Sequence, residues 1–271
     1  MTTQSKPVPS NNGAQNKLLS EDKPAHSWYR FVLSFPPHLI REYLAEFEIG
    51  RHHQVLDPFC GTGTTLVECK KLGVASVGIE ANPVAHFAST VKLCWDANGG
   101  QLRRHAEVIA SHAKETLAGV GIQDDPRPLF NRSVDPKADD SSLRTFTAEA
   151  QKLLLANSIS PIPLHKSIVL RDCILARRRG VYRNHELLAL IKAVVEQSSN
   201  LHFGPEVGVR NPKKDAAVIG PWLEEIQIVS EHLRELNECP DVPSVVFHSD
   251  SRKADELLEP ASIDAVITSP P

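Results

Sequence analysis

The chain has 271 residues, 41% of them apolar and 23% charged, with a formal net charge of −3. That length allows one large domain or two small ones, and so mild a charge neither requires nor forbids a nucleic-acid partner. Five cysteines (60, 69, 94, 173, 239) are odd in number and never spaced CxxC, which argues against a zinc site or a disulfide framework and for reduced intracellular thiols.

No apolar run approaches the ~20 residues of a membrane span. The N-terminus lacks the charged-then-apolar pattern of a secretory signal. A cytoplasmic protein with no membrane partner is expected. Residues 1–25 are rich in Ser, Asn, Gln and Pro and read as a disordered lead-in, with order beginning near His26. Pro36-Pro37 opens a helix over 38–50, carried by Leu39, Ile40, Tyr43, Leu44 and Phe47 and closed by Gly50. A strand over 54–56 ends on Asp57. The loop Pro58-Phe59-Cys60-Gly61-Thr62-Gly63 leads into a helix over 64–73. A second strand, 75–80, ends on Glu80, and Asn82-Pro83 starts a helix over 84–95. Strand, glycine-rich turn, helix, strand and terminal acid within ~30 residues make a nucleotide-type half-fold.

The pattern then changes. Residues 97–243 read as mostly helical, with helices over 101–119, 142–158, 165–180, 184–199 and 218–238. A polar, proline-containing loop is expected at 124–142, and an irregular basic stretch at 203–216. Strand character returns at 244–248, ending on Ser249-Asp250. A short helix over 251–260 and a last strand over 263–267 run into Thr268-Ser269-Pro270-Pro271. The histidines, His52-His53 among them, show no metal spacing and read as surface residues.

The loop at 58–64 is not a mononucleotide cradle, because Gly63 is followed by Thr64 and Thr65 rather than by lysine and a hydroxyl residue. Nor is it a dinucleotide fingerprint, because Leu66 stands where the third glycine should let helix and strand approach. An acid closing each of two strands, with glycines between, suits a ligand carrying an ammonium group and a ribose. Asp57 can face the ammonium, the glycines admit close backbone approach, and Glu80 can accept from both ribose hydroxyls. S-adenosyl-L-methionine has both features. Glycines that merely serve a tight turn are the competing reading.

These residues resemble the S-adenosylmethionine-dependent amino-methyltransferases of DNA, which act on cytosine N4 or adenine N6. VLDPFCGTGTTLVEC resembles their cofactor motif, VGIEANP the second motif, and SDSRKADELLEPASIDAVITSPP the third and fourth run together. SFPPHLIREYL resembles the segment that precedes the cofactor motif. The resemblance implies an α/β, Rossmann-like fold: a doubly wound, mostly parallel sheet with strands one to four in the order 3-2-1-4. It implies a core over 26–96 and 244–271, with 97–243 as a helical insertion and candidate target-recognition region.

Carried over, Asp57, Phe59, Gly61 and Gly63 would hold the methionine part, Glu80 the ribose, and Asp250 the adenine amino group. Pro58, Thr62, Thr64 and Asn82 complete the cofactor set. Ser269, Pro270 and Pro271 would form the catalytic turn, where Ser269 Oγ and a rigid proline carbonyl accept the two N–H bonds of the target amine. Ser rather than Asp or Asn at 269 favours cytosine N4 over adenine N6. RNA amino-methyltransferases and a non-catalytic subunit remain alternative readings. In the inserted region, Arg177, Arg178, Arg179 and Arg183 are candidates for DNA contact, although cations before Gly180 also suit a helix C-terminus. Restriction-modification is the expected setting. The family's turn carries an aromatic after the two prolines. Its absence leads to the expectation of a fragment or split protein lacking the later strands, inactive alone, with strand 263–267 an unprotected edge and a second polypeptide as a possible partner.

Overall fold

A computed structural model describes residues 18–31, 34–124, 143–177, 180–203 and 206–269. In chain order the elements are α1 (Lys23–His26), α2 (Pro37–Glu46), β1 (Gln54–Asp57), α3 (Thr64–Lys71), β2 (Ala75–Glu80), α4 (Pro83–Lys92), α5 (Gly99–Ala118), α6 (Ala148–Gln151), α7 (Pro161–Leu175) and α8 (Arg183–Ala193). A π-helical turn (Val194–Ser198), β3 (Leu201–Phe203), β4 (Val207–Val209) and α9 (Ile219–Leu236) follow, then β5 (Ser244–His248), a 3₁₀ turn (Ser251–Lys253), α10 (Ala254–Leu257) and β6 (Ala265–Val266). The chain divides into two compact units: one of residues 1–27, 33–89 and 240–271, the other of 28–32 and 90–239.

The first unit is built on a four-stranded sheet in the order β5-β2-β1-β6. Every pair in it is parallel: Val55 lies opposite Ser76 and Ala265, and Glu80 opposite His248. This is the 3-2-1-4 order that the resemblance implies. Successive strand residues point to opposite faces. Val55 accordingly packs with Ile40, Leu44, Cys69, Val74 and Ile267, whereas Leu56 packs with Val77 and Ile79. Burying each of these aliphatic side chains stabilises by about 1.5–3 kcal/mol. Around the two central strands both faces are covered, as a parallel sheet requires, whereas Val245 and Val266 on the outer strands stay exposed.

The N-terminal end of this unit differs from expectation. Asp22 and His26 are buried, so order begins before His26; residues 1–17 lie outside the described residues. Arg41 on α2 donates to Asp22 Oδ1 at 2.7 Å and to Glu68 Oε2 at 2.6 Å. His26 Nε2 lies 2.7 Å from Glu68 Oε1, and Lys71 Nζ 3.2 Å from the same oxygen. Three basic groups thus surround one buried carboxylate on the helix that follows the glycine turn. The surface reading of the histidines fails at His26, His165 and His185, all buried. Each lies against a polar partner: Glu68 Oε1, the Arg144 amide and the Cys94 carbonyl oxygen. Such partners are what let imidazoles be buried.

The second unit packs α5 against α7 and α9, and α8 against α9. Leu102, Ile109, Leu117, Leu170, Ile174, Leu188, Trp222, Ile226 and Leu233 are buried along their facing stripes. Asp124 accepts from the Val218 and Ile219 amides at 2.8 and 2.7 Å, and so caps the start of α9. The helix expected over 142–158 shrinks to Ala148–Gln151. Thr147 caps its start, but Leu153, Leu154 and Leu155 run consecutively and stand exposed, so they give no helical stripe to bury. The stretch read as irregular, 203–216, contributes to a hairpin pairing Leu201 with Val209. The last strand is shorter than the expected 263–267, and 251–260 breaks into a 3₁₀ turn and one α-turn. No described helix is long and apolar enough to cross a membrane.

Candidate functional site

In a parallel sheet, ligands bind beyond the carboxyl ends of the strands, where the strand order reverses. Here the reversal falls at β1, between β2 on one side and β6 on the other. Four strands therefore deliver their C-terminal residues to one edge: Asp57, Glu80, the segment His248–Asp250, and Thr268-Ser269.

The glycine turn joins β1 to α3. Gly61 has φ +52° and Gly63 φ +82°, conformations that other residues adopt only under strain. A Cβ at Gly63 would meet Ser89 Cβ at 3.0 Å, so the turn packs closely on its inner side. A Cβ at Gly61 would meet nothing within 4 Å, so the outer side is open to a ligand's approach. Gly78 on β2 is the floor: a Cβ there would meet Cys60 Sγ at 2.8 Å and Leu66 Cδ2 at 2.9 Å. Cys60 is buried, and burial beside Asp57 and Glu80 pushes its thiol far up, which leaves it a packed, unreactive residue.

Asp57 is buried at the end of β1, 1% exposed. Its Oδ1 accepts from the Phe59 amide at 3.2 Å and from the Thr268 hydroxyl at 2.7 Å. Burial raises its pKa above the usual aspartate value; hydrogen bonds from Thr268, Thr65 and Phe59 oppose this, and the nearby Glu80 charge adds to it. Glu80 bridges the turn: Oε2 accepts from the Gly61 amide at 2.8 Å and Oε1 from the Asn82 amide at 2.7 Å. Each oxygen keeps a second lone pair for another donor. Asn82 Oδ1 accepts from the Val84 and Ala85 amides, so Asn82 serves as the cap of α4.

The remaining predicted residues distribute as follows. Phe59 is 42% exposed at the rim, Pro58 is half-buried, and Thr62 and Thr64 are buried within the turn. Asp250 follows β5, and both its oxygens accept from Arg252, at 2.5 to 3.0 Å. Those bonds hold its carboxyl down at about 2. Ser269 is exposed next to Thr268, while Pro270 and Pro271 lie outside the described residues. Arg183 donates to the Arg177 carbonyl at 2.6 Å and helps close the end of α7, whereas Arg177 itself is exposed. Arg178 and Arg179 lie outside the described residues.

Sequence reasoning missed four participants. Thr268 and Thr65 bracket Asp57 and the last strand: Thr65 Oγ1 lies 3.4 Å from the Ile267 carbonyl oxygen. His86 and His248 stack at 4.9 Å beside the Glu80–Asp250 end of the edge, each facing a backbone carbonyl. Only Thr268 carried a signal, as the second hydroxyl of the terminal pair.

The parallel order makes the sheet unit an α/β fold, and that order with the glycine turn is consistent with the methyltransferase kind. Residues 6–89 match the family model described as DNA methylase. The chain is 35% identical to the Type II methyltransferase M.BsoBI of Geobacillus stearothermophilus over 263 residues, covering 93% of this chain and 50% of that protein. It is 38% identical over 147 residues to the Type II methyltransferase M.MjaII of Methanocaldococcus jannaschii, covering 52% of this chain and 26% of that one. A 65-residue stretch is 32% identical to the Type II methyltransferase M.AvaI of a Nostoc species, covering 24% of this chain and 14% of that one. No solved structure matches. The chain thus spans half or less of each of these relatives. The family that the motifs resemble, the DNA amino-methyltransferases, is the one these comparisons return.

Proposed function

We propose that this chain binds S-adenosyl-L-methionine at the edge formed by β1, β2, β5 and β6, and provides the catalytic turn of a Type II DNA methyltransferase. The methyl group goes to an exocyclic amino nitrogen, cytosine N4 in preference to adenine N6 because serine stands at 269. The observation that carries this is convergence. Asp57, the open outer side of Gly61, Glu80 and Ser269 meet at the one edge where the strand order reverses.

The residues fit the cofactor. A buried carboxylate at Asp57 opposes the ammonium group, and the spare lone pairs of Glu80 accept from ribose hydroxyls. Asp250 serves the adenine amino group once Arg252 shares its oxygens. The bound cofactor supplies an electrophilic methyl group on a sulfonium. Ser269 Oγ accepts one N–H of the target amine and turns its lone pair toward the methyl. Rate enhancement then comes from alignment and fixed dipoles rather than from a covalent intermediate. A base in duplex DNA must be flipped out first, at a cost of a few kcal/mol. Exposed Arg177, on the helical unit, is the described candidate for phosphate contact.

Calorimetry of the 271-residue chain with S-adenosyl-L-methionine, followed by labelled methyl transfer to duplex DNA and nucleoside analysis, tests this. Binding is expected from the chain alone, and N4-methylcytosine from the chain assayed together with a polypeptide that supplies the later strands. Heat with a nicotinamide dinucleotide or a nucleoside triphosphate, and none with the sulfonium, would overturn it.

A further inference from the structure

We infer that Thr268 is a positioning residue: its hydroxyl ties the Ser269 turn to the Asp57 carboxylate, so that one hydrogen bond sets both the ammonium seat and the target-amine seat. This rests on the function proposed above.

The backbone ladder between β1 and β6 is short. Val55 and Leu56 pair with Ala265 and Val266, and the Ile267 amide donates to the Leu56 carbonyl at 3.0 Å. The next rung is made by side chains, with the Thr268 hydroxyl donating to Asp57 Oδ1 at 2.7 Å. Ser269 follows at once and is exposed, so its direction is set by a neighbour pinned on one side only. The same oxygen of Asp57 receives the Phe59 amide, which shapes the entry to the glycine turn. A shift of Asp57 toward a cation is therefore transmitted to both turns. Thr65 cannot replace the tether: its single proton is shared between Asp57 and the Ile267 carbonyl.

The tether also bears on ionisation. A donor to the carboxylate favours its charged form, and burial opposes that form. Among the described residues, the titratable groups facing Asp57 are Glu80 from the end of β2, Cys60 from the turn and Cys69 from α3. None is a cation, so the hydroxyls and the Phe59 amide are what hold the charge.

The test uses the full chain in three forms: wild type, Thr268→Val and Thr268→Ser. Carboxyl-carbon NMR, assigned with Asp57→Asn, reads the Asp57 midpoint without ligand. Calorimetry reads sulfonium affinity against pH. Thr268→Val is expected to raise the midpoint by about one pH unit, tenfold in the proton equilibrium, and to move the acid limb of affinity up with it. Thr268→Ser should restore both. An unmoved midpoint in folded Thr268→Val overturns the inference. A moved midpoint with an unmoved affinity profile also overturns it, leaving Thr268 a structural pin. Should Thr268→Val not fold, Thr268→Ala carries the same expectations. A wild-type chain that gives no heat at any pH overturns the proposed function instead, and the ligand-free titration still decides whether Thr268 sets Asp57.

Discussion

The two units use charge in opposite ways. In the sheet unit, Asp57 and Glu80 end neighbouring strands and accept from backbone amides of the turns that follow them. Amide donors are rigid and carry no full charge, so these carboxylates stay fixed in place with capacity to spare. In the helical unit the charged groups pair mostly with one another, between helices, within a helix and between helix and loop. Lys166 lies 2.7 Å from Asp215 and 3.5 Å from Asp124, Lys192 lies 2.8 Å from Glu225, and Arg144 and Arg171 share Asp172. An acid bonded to backbone at a strand end is therefore a better guide to a ligand seat than a dense run of charged residues.

Four changes test this contrast, from the largest effect to the smallest. Asp57→Ala removes one partner of the proposed carboxylate–ammonium pair and should weaken sulfonium binding about 1,000-fold by calorimetry. Retained affinity would mean that strand-end acids are not the seat. Glu68 is the exception within the sheet unit, a carboxylate used structurally. Glu68→Gln should destabilise folding by about 3 kcal/mol in urea, because three basic groups lose a shared counter-charge while Arg41 keeps another acid, Asp22.

The pH dependence of Glu68 follows from its shift. Burial alone would raise its pKa, but His26, Lys71 and Arg41 together hold it down to about 2, from an ordinary 4.5. A depressed folded-state pKa contributes stability that is full above about pH 4.5 and is lost as pH falls toward 2. Glu68→Gln should remove that part of the acid transition. Gly78→Ala should cost about 2 kcal/mol in the same urea experiment by overpacking Cys60 and Leu66. Arg177→Gln should leave sulfonium binding unchanged and lower the salt slope of DNA binding by about 1.

What was legible in the sequence was local. The strand-turn-helix over 54–71 could be read because its signals, an acid, two glycines and an apolar run, are neighbours in the chain. Thr268 over Asp57 and His26 over Glu68 could not be read, because these partners are 211 and 42 residues apart and only packing joins them. The helix expected over 142–158 is confined to 148–151, because Leu153, Leu154 and Leu155 are consecutive rather than spaced at the helical period. The 201–209 hairpin was missed because its strands have three residues each, too few to show alternation.

The sheet also constrains the order in which the molecule is assembled. β1 and β2 are made early, yet their outer neighbours, β6 and β5, pair at Ala265 and Ser244. Ribosomes add about 5–20 residues per second, so β1 waits roughly 10–40 s for its second partner. During that interval its free side is an open template for other nascent strands. The helical unit, most of whose residues emerge in between, can settle only once α9 has been made, because α5 packs against it.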